Sequence, residues 1–224
     1  MIELKTISEV YNEDCMIGMA RYPDKWFDLA VVDPPYGIRE DGHRENETRS
    51  KLAKSKKYHS ALWNQDRPSK EYFDELIRVS KHQIVWGANH LADLLCVKSS
   101  CWIVWNKKCA GGNHFADAEL AYGSFNTAVR SFDFVWQGMI QERMDEKEIR
   151  IHPTQKPIAL YDWIYKNYLP NGGKVIDTHL GSGSNRIAAN KAGNIDFVGF
   201  ELDKDYYEAQ EKRWKQFISQ TRLF

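Results

Sequence analysis

The chain lacks the marks of most specialised protein classes. Its four cysteines, Cys15, Cys96, Cys101 and Cys109, form no Cys-x-x-Cys pair, and its seven histidines no His-x-x-x-His or His-Glu-x-x-His spacing. These absences argue against a zinc site and a disulfide framework, so no metal is expected and the thiols read as reduced. No apolar run approaches the roughly 20 residues that a membrane span needs, and the first five residues carry no long apolar stretch of a secretory signal. A cytoplasmic protein with no membrane partner is therefore expected. Nor is there an excess of charge: Lys plus Arg and Asp plus Glu are 31 each. That balance excludes a strongly basic nucleic-acid coat and an acidic disordered tail, while leaving room for local patches. Internal repeats are absent, and only residues 39–60 are polar enough to read as a long surface loop.

What remains is the make-up of a globule, with 42% hydrophobic and 13% aromatic residues in 224. A single domain over 1–224 is expected, large enough to fold without staples. Residues 27–32 (Phe-Asp-Leu-Ala-Val-Val) are an apolar run that reads as a buried strand. Residues 69–80 carry Phe73, Leu76, Ile77 and Ser80 at helical spacing, and 83–87 and 101–105 are β-branched and aromatic strands. Two further strands are expected around 119–125 and 131–136. Pro157 suits a helix start, and Pro170-Asn171-Gly172-Gly173 stops that helix. A strand follows to Asp177, then a Gly/Ser loop, a helix over about 185–192, a strand over 197–200 and a last helix over about 204–219 with Tyr207, Gln210, Trp214 and Phe217 on one face. Six tryptophans, Trp63, Trp86, Trp102, Trp105, Trp136 and Trp163, read as core. Strands alternating with helices imply an α/β fold with a largely parallel sheet, whose ligands bind beyond the carboxyl ends of the strands. Three strands end there in an acid: Asp33, Asp177 and Glu201.

Two signatures stand at those ends. The first is Asp33-Pro34-Pro35-Tyr36; taken alone it could be no more than a rigid turn. The second is Asp177-Thr178-His179-Leu180-Gly181-Ser182-Gly183-Ser184, with glycines that let the backbone turn sharply and approach a ligand. Twenty-four residues after Asp177 comes Glu201, the spacing of an acid that grips a ribose. A nicotinamide site would need a third glycine, and Asn185-Arg186 stands there instead. A carboxylate at Asp177 suits an ammonium and would repel a pyrophosphate.

Taken together these segments resemble the S-adenosylmethionine-dependent DNA amino-methyltransferases, which methylate adenine N6 or cytosine N4. Asp33–Tyr36 is similar to their catalytic motif, and 177–184 to their cofactor loop. His152-Pro153-Thr154-Gln155-Lys156-Pro157 is similar to the segment that precedes that loop. Gly199-Phe200-Glu201 with Tyr206 resembles the ribose-binding strand end, and Asn12-Glu13-Asp14-Cys15 the usual opening. The catalytic motif comes first, the order of the circularly permuted β group. The resemblance implies a Rossmann-like α/β methyltransferase fold, a mostly parallel seven-stranded sheet with one antiparallel strand. The chain departs from the family pattern at Thr178-His179, usually Pro-Phe, and at Ser184, usually Thr. It is short for the family, so DNA sequence specificity is expected either to be low or to rest on short loops.

The resemblance also implies the roles. S-Adenosylmethionine is the cofactor. Asp177 lies near its ammonium, and Gly181, Ser182 and Gly183 near its methionine portion. His179 offers it a flat face, Glu201 binds the ribose, Asp14 and Cys15 run along the adenine, and Thr154 and Lys156 stand at the methionine end. The target amine conjugates with its ring. Asp33 and the Pro34 carbonyl would accept its two hydrogens and draw it toward tetrahedral geometry, with Pro35 completing an acceptor-only wall. The base must be flipped out, with Tyr36 as its stacking platform. DNA contact is expected from a mobile basic loop over 37–66, where Arg49, Lys51, Lys54, Lys56 and Lys57 have no acid among them. Asp at position 33 leans toward adenine, because cytosine-N4 enzymes more often carry Ser there. RNA as substrate, a silent DNA-binding subunit and a homodimer remain open.

Overall fold

A computed structural model describes residues 6–37, 67–95, 98–108, 116–137 and 140–221. Its strands are β1 (Ser8–Tyr11), β2 (Phe27–Val32), β3 (Ser80–Trp86), β4 (Trp102–Asn106), β5 (Ala118–Gly123), β6 (Arg130–Asp133), β7 (Trp136–Gln137), β8 (Ile140–Gln141), β9 (Gly173–Asp177) and β10 (Ile195–Phe200). Its helices are α1 (Cys15–Met19), α2 (Lys70–Val79), α3 (Ala92–Leu95), α4 (Ile158–Tyr168), α5 (Ser184–Ala192) and α6 (Lys204–Thr221).

Among the described residues, eight strands form one sheet in the order β1-β10-β9-β2-β3-β5-β4-β6. Only β5 runs against the rest. The sheet has one more strand than expected. The addition is the edge strand β1, whose Ser-Glu-Val-Tyr sequence has no apolar run; it is held by pairing with β10 from Ser8↔Phe197 to Tyr11↔Phe200. The expected strand over 131–136 also divides. Val135 donates its N–H to Glu142 Oε2 at 2.9 Å, and β7 leaves the sheet to pair with β8.

The sheet is covered on both faces, as a parallel sheet must be. On one face Leu29, Val31, Ile84, Ile103, Val175 and Phe197 pack with Leu160 and Ile164 of α4 and Ala188 of α5. On the other, Ala30, Val32, Val85, Ile176 and Val198 meet Tyr72, Phe73 and Leu76 of α2. The inward positions of α2 are Tyr72, Phe73, Leu76 and Val79; Ile77, expected there, is 45% exposed, and Ser80 already opens β3. On α6 the buried positions are Tyr206 and Gln210. Trp86, Trp105 and Trp136 are core, Trp102 and Trp163 are half-buried, and Trp63 lies outside the described residues. The parallel strands put the carboxyl ends of β1, β10, β9, β2 and β3 along one edge. Because β5 is reversed, its first residues join the same edge.

Candidate active site

The candidate catalytic corner stands at the tip of β2. The chain leaves the strand at Asp33 and turns through buried Pro34. Both Asp33 oxygens are engaged: the Tyr36 hydroxyl donates to Oδ1 and the Lys156 ammonium to Oδ2. Tyr36 is brought back by Gly87, the residue after β3. Gly87 has φ +67°, and a Cβ there would lie 2.0 Å from the Tyr36 ring, so only glycine admits the ring. The imidazole of His90 stacks on Tyr36, with centroids 5.2 Å apart and planes at 15°. Burial, with Asp33 beside it, pushes the Tyr36 phenol well above its usual range, so it serves as a hydrogen donor.

Lys156 is not a surface charge: its side chain is 3% exposed. It lies over the Trp86 ring at 5.4 Å and also pairs with Glu119 at 3.1 Å. The other oxygen of Glu119 takes Lys107 at 2.5 Å. Burial opposes ionisation of Glu119, but the two lysines outweigh it and hold the carboxyl down at about 2. Burial likewise works against the Lys156 charge, and Asp33 and Glu119 outweigh it, so the ammonium sits above its usual range. Lys156 was expected at the methionine end of the cofactor; here it pairs with Asp33 and with Glu119, and neither Glu119 nor the Lys107 that pairs with Glu119 was expected. Neither belongs to a recognisable motif, and nothing along the chain marks them as neighbours of residue 33.

The cofactor corner occupies the tips of β9 and β10. Asp177 accepts from His179 N at 3.1 Å and from Asn185 Nδ2 at 2.8 Å. Among the described residues no cationic side chain pairs with it. Burial, reinforced by Asp33 and Glu201, pushes its carboxyl up to about 7. Asn185 also donates to the carbonyl of Val31 at 3.2 Å and accepts from Tyr165. It thus ties the β2 tip to the β9 tip and sets the two acids relative to each other. Glu201 accepts from Gly181 N at 2.7 Å and Asp203 N at 2.9 Å, and burial pushes its carboxyl up to about 6.

His179 is kept uncharged, its pKa pulled down to about 4 by burial. Its Nδ1 meets Thr178 Oγ1 at 3.0 Å, which in turn meets the Tyr72 hydroxyl at 2.6 Å. Thr178-His179 therefore supplies a fixed neutral ring where the family usually has Pro-Phe. Gly181 and Gly183 have φ of +52° and +71°, the second at the N-cap of α5. Ser182 is turned into the fold, against Ser184 Oγ at 3.1 Å. His152 backs onto Gly181, and its Nδ1 meets the hydroxyl of exposed Thr154 at 3.1 Å. Asp14 caps α1 through Met16 N at 2.8 Å, and burial pushes the neighbouring Cys15 thiol up to about 12. Nearby, Asn12 Nδ2 donates to the carbonyl of Glu201 at 2.8 Å, which joins the β1 end to the β10 end.

These residues fit S-adenosylmethionine on the structure's own terms. A buried carboxylate without a cation suits the ammonium, Glu201 suits vicinal hydroxyls, and Gly181 and Gly183 place no side chain beside them. Arg49, Lys51, Lys54, Lys56 and Lys57, and the loop 37–66 apart from Gly37, lie outside the described residues. Among the described residues no three His, Cys, Asp or Glu side chains come together as for a metal ion, and no helix is long and apolar enough to cross a membrane.

The fold and site define an α/β protein of the Rossmann-like methyltransferase class. Residues 53–212 match the family model of the N6/N4 DNA methylases, and the chain belongs to that family, whose cofactor is S-adenosylmethionine. It is 30% identical over 137 residues to the type II methyltransferase M2.LlaDCHI of Lactococcus lactis subsp. cremoris, covering 59% of this chain and 49% of that protein. It is 33% identical over 79 residues to M2.DpnII of Streptococcus pneumoniae, covering 35% and 29%. The matches thus span about half or less of these curated relatives. In fold it is similar to the crystal structure of the M1.HpyAVI–SAM complex, with a TM-score of 0.57 at 19% identity over 92% of this chain and 98% of that one.

Proposed function

We propose that the protein transfers a methyl group from S-adenosylmethionine to N6 of adenine in DNA after flipping the base. The observation that carries this reading is Asp33, held by Tyr36 and Lys156 at the β2 tip and tied through Asn185 to the cofactor corner. The cofactor supplies a methyl group on a sulfonium, so the protein's task is the nucleophile. Asp33 and the Pro34 carbonyl accept the two amino hydrogens, which draws the nitrogen lone pair out of the ring. Their hold strengthens as positive charge grows on nitrogen, the differential binding that lowers a barrier. A nitrogen–carbon bond forms as the carbon–sulfur bond breaks, and one amino proton then leaves toward Asp33 or water. His179 would lie along the cofactor as a neutral ring, and Glu201 would take its ribose hydroxyls in place of the Gly181 amide.

Transfer of labelled methyl to duplex DNA tests the reading, with digestion to nucleosides and mass spectrometry of the product. N6-methyladenine is expected, and Asp33→Ala should lower the rate by about a thousandfold or more with cofactor binding retained. N4-methylcytosine as the product would move the assignment to the family's other base. No transfer on varied duplexes would favour a silent DNA-binding subunit. The basic segment at 49–57 is proposed to hold DNA phosphates. Neutralising its five cations should flatten the salt dependence of DNA binding by about 0.9 per lost contact; an unchanged slope would count against it.

A further inference from the structure

We propose that Glu119 is a positioning residue for the transfer: with Lys107 behind it, it shares the Lys156 ammonium with Asp33 and cancels the excess positive charge that the amine would otherwise meet as it becomes positive. This inference rests on the reading of Asp33 as the amine's acceptor. Four charges form a chain from β4 to β2, Lys107–Glu119–Lys156–Asp33, with Lys107 at 2.5 Å and Lys156 at 3.1 Å from the two Glu119 oxygens. Among the described side chains of that chain the sum is zero.

The arrangement answers a problem posed by the geometry. An ammonium directly on Asp33 Oδ2 weakens that oxygen as an acceptor and repels a nitrogen that is acquiring charge. The second anion removes the difficulty. Lys156 has three donors, and it can lean on Glu119 while the substrate amine takes its place at Asp33. Without Glu119 the corner would hold two cations against one anion, in a buried setting where such an imbalance is least screened. The reversed strand β5 is what brings Glu119 to this edge, since its first residues lie where the other strands end.

Other groups lie around the Asp33–Lys156–Glu119 cluster. Tyr36 follows β2 and donates to Asp33, and Tyr161 comes from α4. Asp177 at the β9 tip adds negative charge near Asp33. His152, four residues before Lys156, is held uncharged, its pKa pulled down to about 3 by burial with Lys156 and Arg150 adding. None of these groups replaces a carboxylate in contact with the ammonium.

The experiment is a double-mutant cycle on the full chain with Glu119→Gln and Lys107→Met, read as single-turnover methyl transfer to DNA. Glu119→Gln should slow transfer by about tenfold to about a hundredfold. Adding Lys107→Met should recover part of that loss, because the pair of changes restores neutrality but not the second anion on which Lys156 leans. A double variant as slow as the product of the two single effects, or a Glu119→Gln protein as fast as wild type, would overturn the proposal. The rate of Glu119→Gln should also climb toward about pH 10, where a lysine near its ordinary pKa sheds its charge; a purely structural defect would not respond in this way. A wild type that transfers no methyl would instead remove the reading on which the inference rests. In that case NMR titration of the Lys156 Nζ still judges the contact: it should titrate at lower pH in Glu119→Gln than in wild type, and an unchanged titration would refute the charge sharing.

Discussion

The two corners of the site solve the problem of buried charge in opposite ways. At the tip of β2 every charged group has a partner of opposite sign: Asp33 with Lys156, Lys156 with Glu119, Glu119 with Lys107. At the tips of β9 and β10 the acids are held by N–H donors alone, from His179, Asn185, Gly181 and Asp203. The first corner therefore keeps its ions without help: Glu119 stays ionised down to about pH 2. The second holds Asp177 and Glu201 above the usual carboxylate range, at about 7 and about 6. A buried carboxylate that lacks a cation is a demand for one, and the ligand proposed for that corner brings an ammonium. One corner is preorganised by the chain, and the other is completed by what binds there.

The strongest way to break this comparison is to remove a cation from the self-sufficient corner. Lys156→Met would leave Asp33 and Glu119 buried without a shared partner, and stability should fall by about 3–5 kcal/mol, read by denaturant unfolding. A loss below about 1 kcal/mol would mean that the cluster behaves like an ordinary surface pair. Gly87→Ala attacks the same corner through its shape. The added methyl meets the Tyr36 ring at a positive φ, and unfolding should cost about 1–3 kcal/mol less than in wild type. Methyl transfer should fall with it.

The cofactor corner should respond to pH instead. Asp177 is raised from 3.8 to about 7, so the folded protein binds a proton that the unfolded chain does not. Its contribution to stability is therefore favourable below about pH 4 relative to above about pH 7, and it is lost as pH rises through that window. A bound ammonium reverses the balance. The cofactor-induced stabilisation should grow from about pH 5.5 to about pH 8, by about 1.4 kcal/mol of binding energy per pH unit at most, and binding near pH 6 should release a proton detectable by calorimetry in different buffers. A ligand shift independent of pH would mean that Asp177 does not meet a cation. The smallest effect belongs to His179→Phe. The imidazole is already neutral, so the substitution gives up only the contact with Thr178, and cofactor affinity should change by less than about 1 kcal/mol.

Much of the frame was legible along the chain because its signals are local. The run at 27–32 matches β2 residue for residue, Pro157 caps the start of α4, and the helix expected over about 185–192 matches α5 to within a residue. The acids at the three strand tips followed from where the apolar runs stop. The edge strand β1 did not follow, because its four residues carry no period and its only support is the ladder to β10. Glu119 was hidden for a related reason. It is an ordinary glutamate in a half-buried strand until that strand is known to be reversed.

By itself the sequence determined which groups are the candidates for the chemistry: a carboxylate followed by two prolines, a glycine loop behind a second acid, and a third acid on the next strand. Short-range sterics and hydrophobic runs are sufficient to write these, since each depends on neighbours within a few positions. Tertiary structure alone decided how those groups are held. Lys156 meets Asp33 across 123 positions, and Asn185, bonded to Asp177 at the tip of β9, reaches the Val31 carbonyl of β2 across 154 positions. Charge pairing in a buried corner acts through distance in space, and distance in space is set by the sheet.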